Sequence, residues 1–146
     1  FVSELLYQTV NEAHQDKPLF DFLQHSILIL DLTEESIANF HLIFLTKLSR
    51  FLGFYPNVSE ENNFTCFDLL NGVFCPEPPP HNHFLTHEDA SLLHRLLQLD
   101  YGNMQQLGLN RVERMRMLGN LITYYRLHLQ EKFTLKSVEV LKTLFD

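Results

Sequence analysis

Cys66, Cys75, His81 and His83 fall within eighteen residues of a turn-rich stretch, and thiolate and imidazole are the ligands a structural zinc ion takes. Structural sites bring such ligands in short paired spacings. Here the two cysteines stand nine positions apart, so bound zinc is not expected, and the plainer reading is two buried thiols and a polar loop. A cysteine nucleophile served by one of the eight histidines is a second possible chemistry, but no local signature singles out a pair. Asn57-Val58-Ser59 and Asn63-Phe64-Thr65 both satisfy the glycosylation pattern, and with paired cysteines they would suit a small secreted, disulfide-linked four-helix signalling protein. Reduced thiols in a cytosol are the default for a chain with this much apolar side chain. The five glycines stand singly, and there is no GxGxxG, Walker-type loop or HExxH, so nothing cradles a phosphate.

Charge narrows the classes further. The 146 residues carry a formal charge of −7, and phosphate backbones attract Lys and Arg while repelling carboxylates, so the chain as a whole is a poor nucleic-acid binder. The charge is uneven, however. Residues 111–146 hold seven of the eleven basic residues against four acidic ones, net +3, whereas residues 1–110 carry four basic and fourteen acidic, net −10. An acidic body with one mildly basic end can meet an acidic partner at that end.

The elements that must position these residues read mainly as helices. Residues 2–14 read as a first helix with Leu5, Leu6 and Val10 on one side, which sets the expectation that the chain begins partway through a longer protein. Lys17-Pro18 restarts the chain into a helix to about Leu32, with Leu19, Phe22, Leu23, Ser26 and Leu30 on one face; taken alone, 27–30 could equally be a buried strand. From Ser36 to Gly53 the apolar character runs almost all round, as in the middle of a bundle. Residues 54–86 read as an inserted loop region rich in Pro, Asn and Gly, with a hairpin of 64–69 and 73–75 across Leu70-Asn71-Gly72. Thr86 with Asp89 starts the next helix, carrying Leu92, Leu93, Leu96 and Leu97; Asn110 with Glu113 starts a long one to about Gln130; Thr134 caps the last. The expected fold is all-α, a bundle of about six helices with a small hairpin-bearing insertion and no membrane-crossing segment.

On the long helix Met115, Leu118, Ile122, Tyr125 and Leu129 define an apolar stripe, and Arg111 and Arg114 fall on or beside it. Either the helix start overhangs the bundle and these arginines are solvated or paired, or they form a basic rim beside an apolar groove. Such a rim suits a short acidic peptide ending in an aromatic residue, because guanidinium pairs with carboxylate while the ring is buried.

Four phrases occur in order: Asn39-Phe40-His41-Leu42, then Arg50-Phe51-Leu52-Gly53-Phe54-Tyr55-Pro56-Asn57, then Phe67-Asp68-Leu69 with Asn71-Gly72, and Leu135-Lys136-Ser137-Val138-Glu139-Val140-Leu141. Together with the Tyr124-Tyr125-Arg126-Leu127-His128 run, they resemble the C-terminal helical region of the bacterial recombination mediator RecO, in versions from Bacteroides-like bacteria, over nearly the whole chain. The resemblance implies one domain over 1–146, preceded in the family by an OB-fold domain that is a main DNA-binding module. It also implies a cytoplasmic, non-enzymatic DNA-repair role without a cofactor. That role comprises assisting recombinase loading onto strands covered by single-stranded-DNA-binding protein, annealing strands and associating with RecR. In that family the helical domain binds the acidic, Phe-ending tail of single-stranded-DNA-binding protein, which implies two candidate patches: Phe40, Phe44, Lys47 and Arg50, or Arg111, Arg114 and Arg126. Some members carry two CxxC pairs in the loop region; only Cys75 falls near such a position, so the loop resembles a degenerate zinc ribbon, with His81 and His83 leaving room for a substitute site.

Overall fold

The computed structural model describes residues 7, 16–32, 37–58 and 63–129. Apart from Tyr7, helical and exposed, the expected first helix at 2–14 lies outside the described residues, as does the expected last helix from Thr134. Among those described are four α-helices and a small antiparallel sheet.

Helix α1 spans Lys17–Leu32. Asp16 starts it: its carboxylate accepts from Leu19 N–H at 3.2 Å, satisfying a first-turn donor, and Pro18 costs nothing there because first-turn N–H groups have no helical partner. Leu19, Leu23 and Ser26 face the core, so 27–30 is helix rather than strand.

Helix α2, Phe40–Leu52, follows a 3-10 turn at Ile37–Asn39 and is the central element. Phe40, Leu42, Ile43, Phe44, Leu45 and Leu48 are all buried. The two buried hydroxyls among them are satisfied on the helix itself, Thr46 donating to Leu42 O and Ser49 to Thr46 O. Gly53, at φ +90°, ends the helix in a left-handed turn, and Phe54 N–H returns to Ser49 O at 3.0 Å.

Residues 54–86 are not a loop laid on the bundle. Strand β1, Cys66–Asp68, is wholly buried at the centre of a three-stranded sheet of order β2-β1-β3. Its neighbours are β2, Val73–Cys75, with Cys66 opposite Cys75, and β3, Phe84–Leu85, with Phe67 opposite Leu85. The expected hairpin is there, but a third strand pairs on the other side of β1. The expected zinc-ribbon character has no support in this arrangement: Phe67, Leu69 and Leu85 join the main core, and the sheet is held by their burial.

Helix α3, His87–Leu97, buries Ala90, Leu92, Leu93 and Leu96; Thr86 precedes it without making a side-chain cap bond. A turn and a 3-10 segment, Met104–Leu107, lead to α4, Arg111–His128. Its start is the expected capping box: Glu113 N–H donates to Asn110 Oδ1 and Asn110 N–H to Glu113 Oε2, both at 2.9 Å. The buried face of α4 is Met117, Leu121, Ile122, Tyr124 and Tyr125, which shares Ile122 and Tyr125 with the expected stripe, while Met115, Leu118 and Leu129 are half-buried. The buried face is turned about a fifth of a revolution from that expectation, at 100° per residue. Tyr124 explains much of the difference: it looks amphipathic in sequence, but its hydroxyl bonds Phe54 O, which carries its ring inward beside Tyr125, whose hydroxyl bonds buried Leu45 O.

Two glycines give opposite expectations. Gly72 sits at φ +66°, where a Cβ would stand 2.6 Å from Tyr124 Oη, so Gly72→Ala combines left-handed strain with loss of the Tyr124 bond and is expected to cost about 2–4 kcal/mol. Gly119, exposed on α4 with nothing within 4 Å of an added Cβ, is expected to gain about 1 kcal/mol as Gly119→Ala. Urea unfolding of the two variants checks both signs.

Candidate partner-binding site

The arginines of the chain divide by what they touch. Arg116 reaches from α4 to the first turn of α3, bonding Glu88 Oε1 at 2.6 Å and Asp89 Oδ1 at 2.7 Å, and Asn120 donates to the other Asp89 oxygen at 3.1 Å. Arg95 donates to Leu107 O at 3.1 Å. Arg114, half-buried on the core side of α4, donates to Leu109 O and so braces the chain entering the helix. Arg50 lies over the Tyr55 ring, 4.4 Å from its centroid. Arg111 and Arg126 are exposed and make no ion pair or hydrogen bond among the described residues.

Of the candidate set Arg111, Arg114 and Arg126, the structure therefore leaves the first and last on the open face of α4, while Arg114 is engaged in the fold. Arg126 lies fifteen positions beyond Arg111, about 22 Å along the axis, so the two bracket a surface rather than forming one cluster. Between them the outer face carries Val112, 72% exposed, half-buried Met115, and exposed Gly119 and Thr123. This is a shallow apolar step beside Arg111, followed by a stretch with little side-chain relief.

The other candidate patch changes character. Phe40 and Phe44 are only 3% and 2% exposed; they stack on each other, with Phe44 against Phe22 and Phe40 against Tyr101. They are core, and no partner's ring can rest on them without opening the bundle. Lys47 is half-buried and Arg50 exposed, so only the two cations of this patch reach the surface.

The loop residues are brought together in pairs. Cys66 Sγ and Cys75 Sγ stand 3.2 Å apart across the β1–β2 pair, both as free thiols, and Cys66 Sγ is also 3.2 Å from Glu77 O. Burial, and then the neighbouring Cys66, push the Cys75 thiol up to about 11. His81 and His83 point elsewhere. His83 N–H donates to His81 Nδ1 at 3.1 Å, which leaves the ring proton on Nε2, and that nitrogen faces Asp68 Oδ1 at 3.2 Å. Among the described residues no three His, Cys, Asp or Glu side chains converge so as to hold a metal ion.

Asp68 is the buried polar group that sequence reading passed over, although Asp followed by Asn-Gly three residues on is a turn signal. Its Oδ1 accepts from Leu70 N–H at 2.8 Å and Asn71 N–H at 3.1 Å, and its Oδ2 from the Asn71 amide at 2.7 Å. Burial alone would raise its pKa, but these bonds and His81 outweigh it and hold the carboxyl below the ordinary aspartate range. Arg116 was likewise missed, since its partners lie 27 and 28 positions away in sequence.

Comparison with known proteins places these features in a lineage. Residues 1–137 match the family described as "Recombination protein O C terminal". The chain is 46% identical over 147 residues to the DNA repair protein RecO of Bacteroides fragilis and 43% identical over 146 residues to that of Phocaeicola vulgatus. It is 36% identical over 147 residues to the DNA repair protein RecO of Flavobacterium psychrophilum. In each case all of this chain is covered, and it spans 61%, 61% and 60% of the respective relative's length. No solved structure matches.

Asp68 gives a pH dependence with a definite sign. A carboxyl whose folded pKa is depressed contributes stability that is fully present above its unfolded value and is lost as pH falls through the folded value, so the expected loss lies below about pH 4. Asp68→Ala, which orphans two backbone N–H groups, is expected to cost at least about 2 kcal/mol near neutrality and to flatten this acid limb. Urea midpoints measured between pH 2.5 and 7 read both effects.

Proposed function

Because this chain belongs to the RecO C-terminal family, we propose that it is a non-enzymatic, cytoplasmic protein-interaction domain of a DNA-repair recombination mediator, and that α4 receives the acidic, Phe-ending tail of single-stranded-DNA-binding protein. The observation that carries the reading is the exposed pair Arg111 and Arg126, uncompensated among the described residues, flanking the apolar step of Val112 and Met115. Carboxylates of an extended tail would pair with the two guanidinium groups while a terminal ring covers Val112 and Met115. Lys47 and Arg50 are the second candidate cations. Assistance to recombinase loading, strand annealing and association with RecR belong to the same proposal, with DNA contacts mainly on the OB-fold domain implied by the family resemblance.

The reading needs neither metal nor nucleophile from this chain: Cys66 and Cys75 face each other rather than a histidine, and His81 faces Asp68. A secreted signalling protein accounts for the two glycosylation patterns, but not for a match along the whole chain to bacterial DNA repair proteins. No helix among the described residues is long and apolar enough to cross a membrane.

Titration with a synthetic acidic peptide ending in Pro-Phe, beside the same peptide lacking its final Phe, tests the proposal. The intact peptide is expected to bind more tightly and to weaken with salt, Arg111→Glu and Arg126→Glu each to lose about tenfold, and Arg116→Ala to change little. Losses confined to Lys47→Glu and Arg50→Glu would move the site to α2. Equal affinity for both peptides would sink the proposal.

A further inference from the structure

We infer that Cys66 and Cys75 form an oxidative modification site, a thiol pair that peroxides convert into a reversible cross-strand disulfide between β1 and β2. Three independent features carry this. The two residues are direct partners in the antiparallel register, and directly opposed strand residues have Cα atoms about 4.5–5.5 Å apart, inside the range disulfides occupy. Their sulfurs already stand 3.2 Å apart and need to close to about 2.05 Å. The third feature is access: Cys66 is 1% exposed, whereas Cys75 is half-buried on β2, an edge strand, so of the pair Cys75 is the residue nearer solvent.

The chemistry balances with hydrogen peroxide as the oxidant. The Cys75 sulfur attacks one peroxide oxygen through the small thiolate fraction that its raised pKa leaves, so the step is slow near neutrality and speeds up as pH rises; the O–O bond breaks, Cys75 becomes a sulfenic acid and the first water leaves. The Cys66 sulfur then attacks the Cys75 sulfur, the S–O bond breaks, the S–S bond forms and the second water carries away the hydroxyl and the remaining proton. Two thiols lose two electrons and one peroxide gains them. Oxidation also removes the Cys66 S–H that lies 3.2 Å from Glu77 O, so the proline-rich return after β2 loses a tie as the strands gain a covalent one. A thiol reductant reverses the change. This inference stands on the sheet geometry and is independent of what α4 binds.

The test uses the folded 146-residue chain, exposed to hydrogen peroxide at pH 9, where more of the Cys75 thiol is ionised, and then to N-ethylmaleimide under denaturing conditions. Both cysteines lie between Arg50 and Arg95 with no Lys or Arg between, so one tryptic peptide reports on both. The expected product is that peptide without maleimide and lighter by two hydrogen atoms than the reduced form, restored to two alkylatable thiols by dithiothreitol, with a higher urea midpoint while oxidised. Cys75→Ser is expected to yield no such product, and Cys66→Ser to stop at an adduct on Cys75. Two maleimides on the peroxide-treated protein, gain of oxygen without loss of the hydrogen pair, or a disulfide-linked dimer on a non-reducing gel would each overturn the inference.

Discussion

The last turns of α4 clasp the end of α2 and the turn of the sheet in one place, and the rest of the arrangement follows from that clasp. Tyr124 Oη donates to Phe54 O, one residue past the left-handed Gly53 that ends α2. It can do so only because Gly72, at the tip of the β1–β2 turn, has no Cβ to occupy the space. One helical turn on, His128 Nε2 lies 2.8 Å from Leu69 O, and since a carbonyl only accepts, that nitrogen carries the proton. The same imidazole stacks on Phe54 at 5.3 Å, while Tyr125 reaches Leu45 O in the middle of α2. Carbonyls inside α2, just past its end and in the sheet turn are thus answered by α4 side chains. Each of these bonds specifies the rotation of α4 as well as its position.

That rotation decides which residues are left for a partner. With Met117, Leu121, Tyr124 and Tyr125 turned inward, Arg114 comes to the core side and is taken up by Leu109 O, while Arg116 turns toward the acidic start of α3. Exposed ion pairs of the Arg116 type contribute little stability, but a guanidinium shared by two carboxylates, one of them also held by the Asn120 amide, fixes direction. What remains outward is Arg111, Val112, Met115, Gly119 and Arg126. The distribution of the charge between fold and surface is therefore a consequence of two tyrosine hydroxyls far from most of the arginines.

Much of this was legible beforehand, and the failures have definite causes. The Asn110–Glu113 box, the Gly53 stop, the all-round burial of α2 and the hairpin around Asn71-Gly72 are local features, specified within a few residues by backbone donors and acceptors. Strand β3 is only two residues long, too short for any alternation, and exists because β1 has a second edge to pair. The stripe on α4 was misplaced because its apolar and tyrosine residues cover two overlapping faces, and only tertiary acceptors for the hydroxyls choose between them. Phe40 and Phe44, one turn apart beside Lys47 and Arg50, read as a surface patch on the family resemblance alone. A helix buried nearly all round offers no stripe from which to tell inside from outside.

Charge at the start of α4 has a further consequence for how a partner would be held. An α-helix N-terminus attracts anions through its free N–H groups and its dipole, but here the capping box occupies part of that capacity. Asn110 Oδ1 takes the Glu113 N–H, and the Glu113 carboxylate sits against Asn110 N–H, placing a negative charge of the chain's own at the positive end. Attraction for a carboxylate therefore rests on the Arg111 guanidinium rather than on the backbone. Around it the first 110 residues carry a net −10, a field that repels an acidic segment at distances beyond a Debye length only weakly, about 8 Å at physiological salt, but opposes it at contact everywhere the arginines do not outweigh it. On the proposed reading, an acidic ligand would be disfavoured over most of the body and favoured along the outer face of α4, so the acidity expected to weaken nucleic-acid binding would also sharpen the choice of an acidic peptide site.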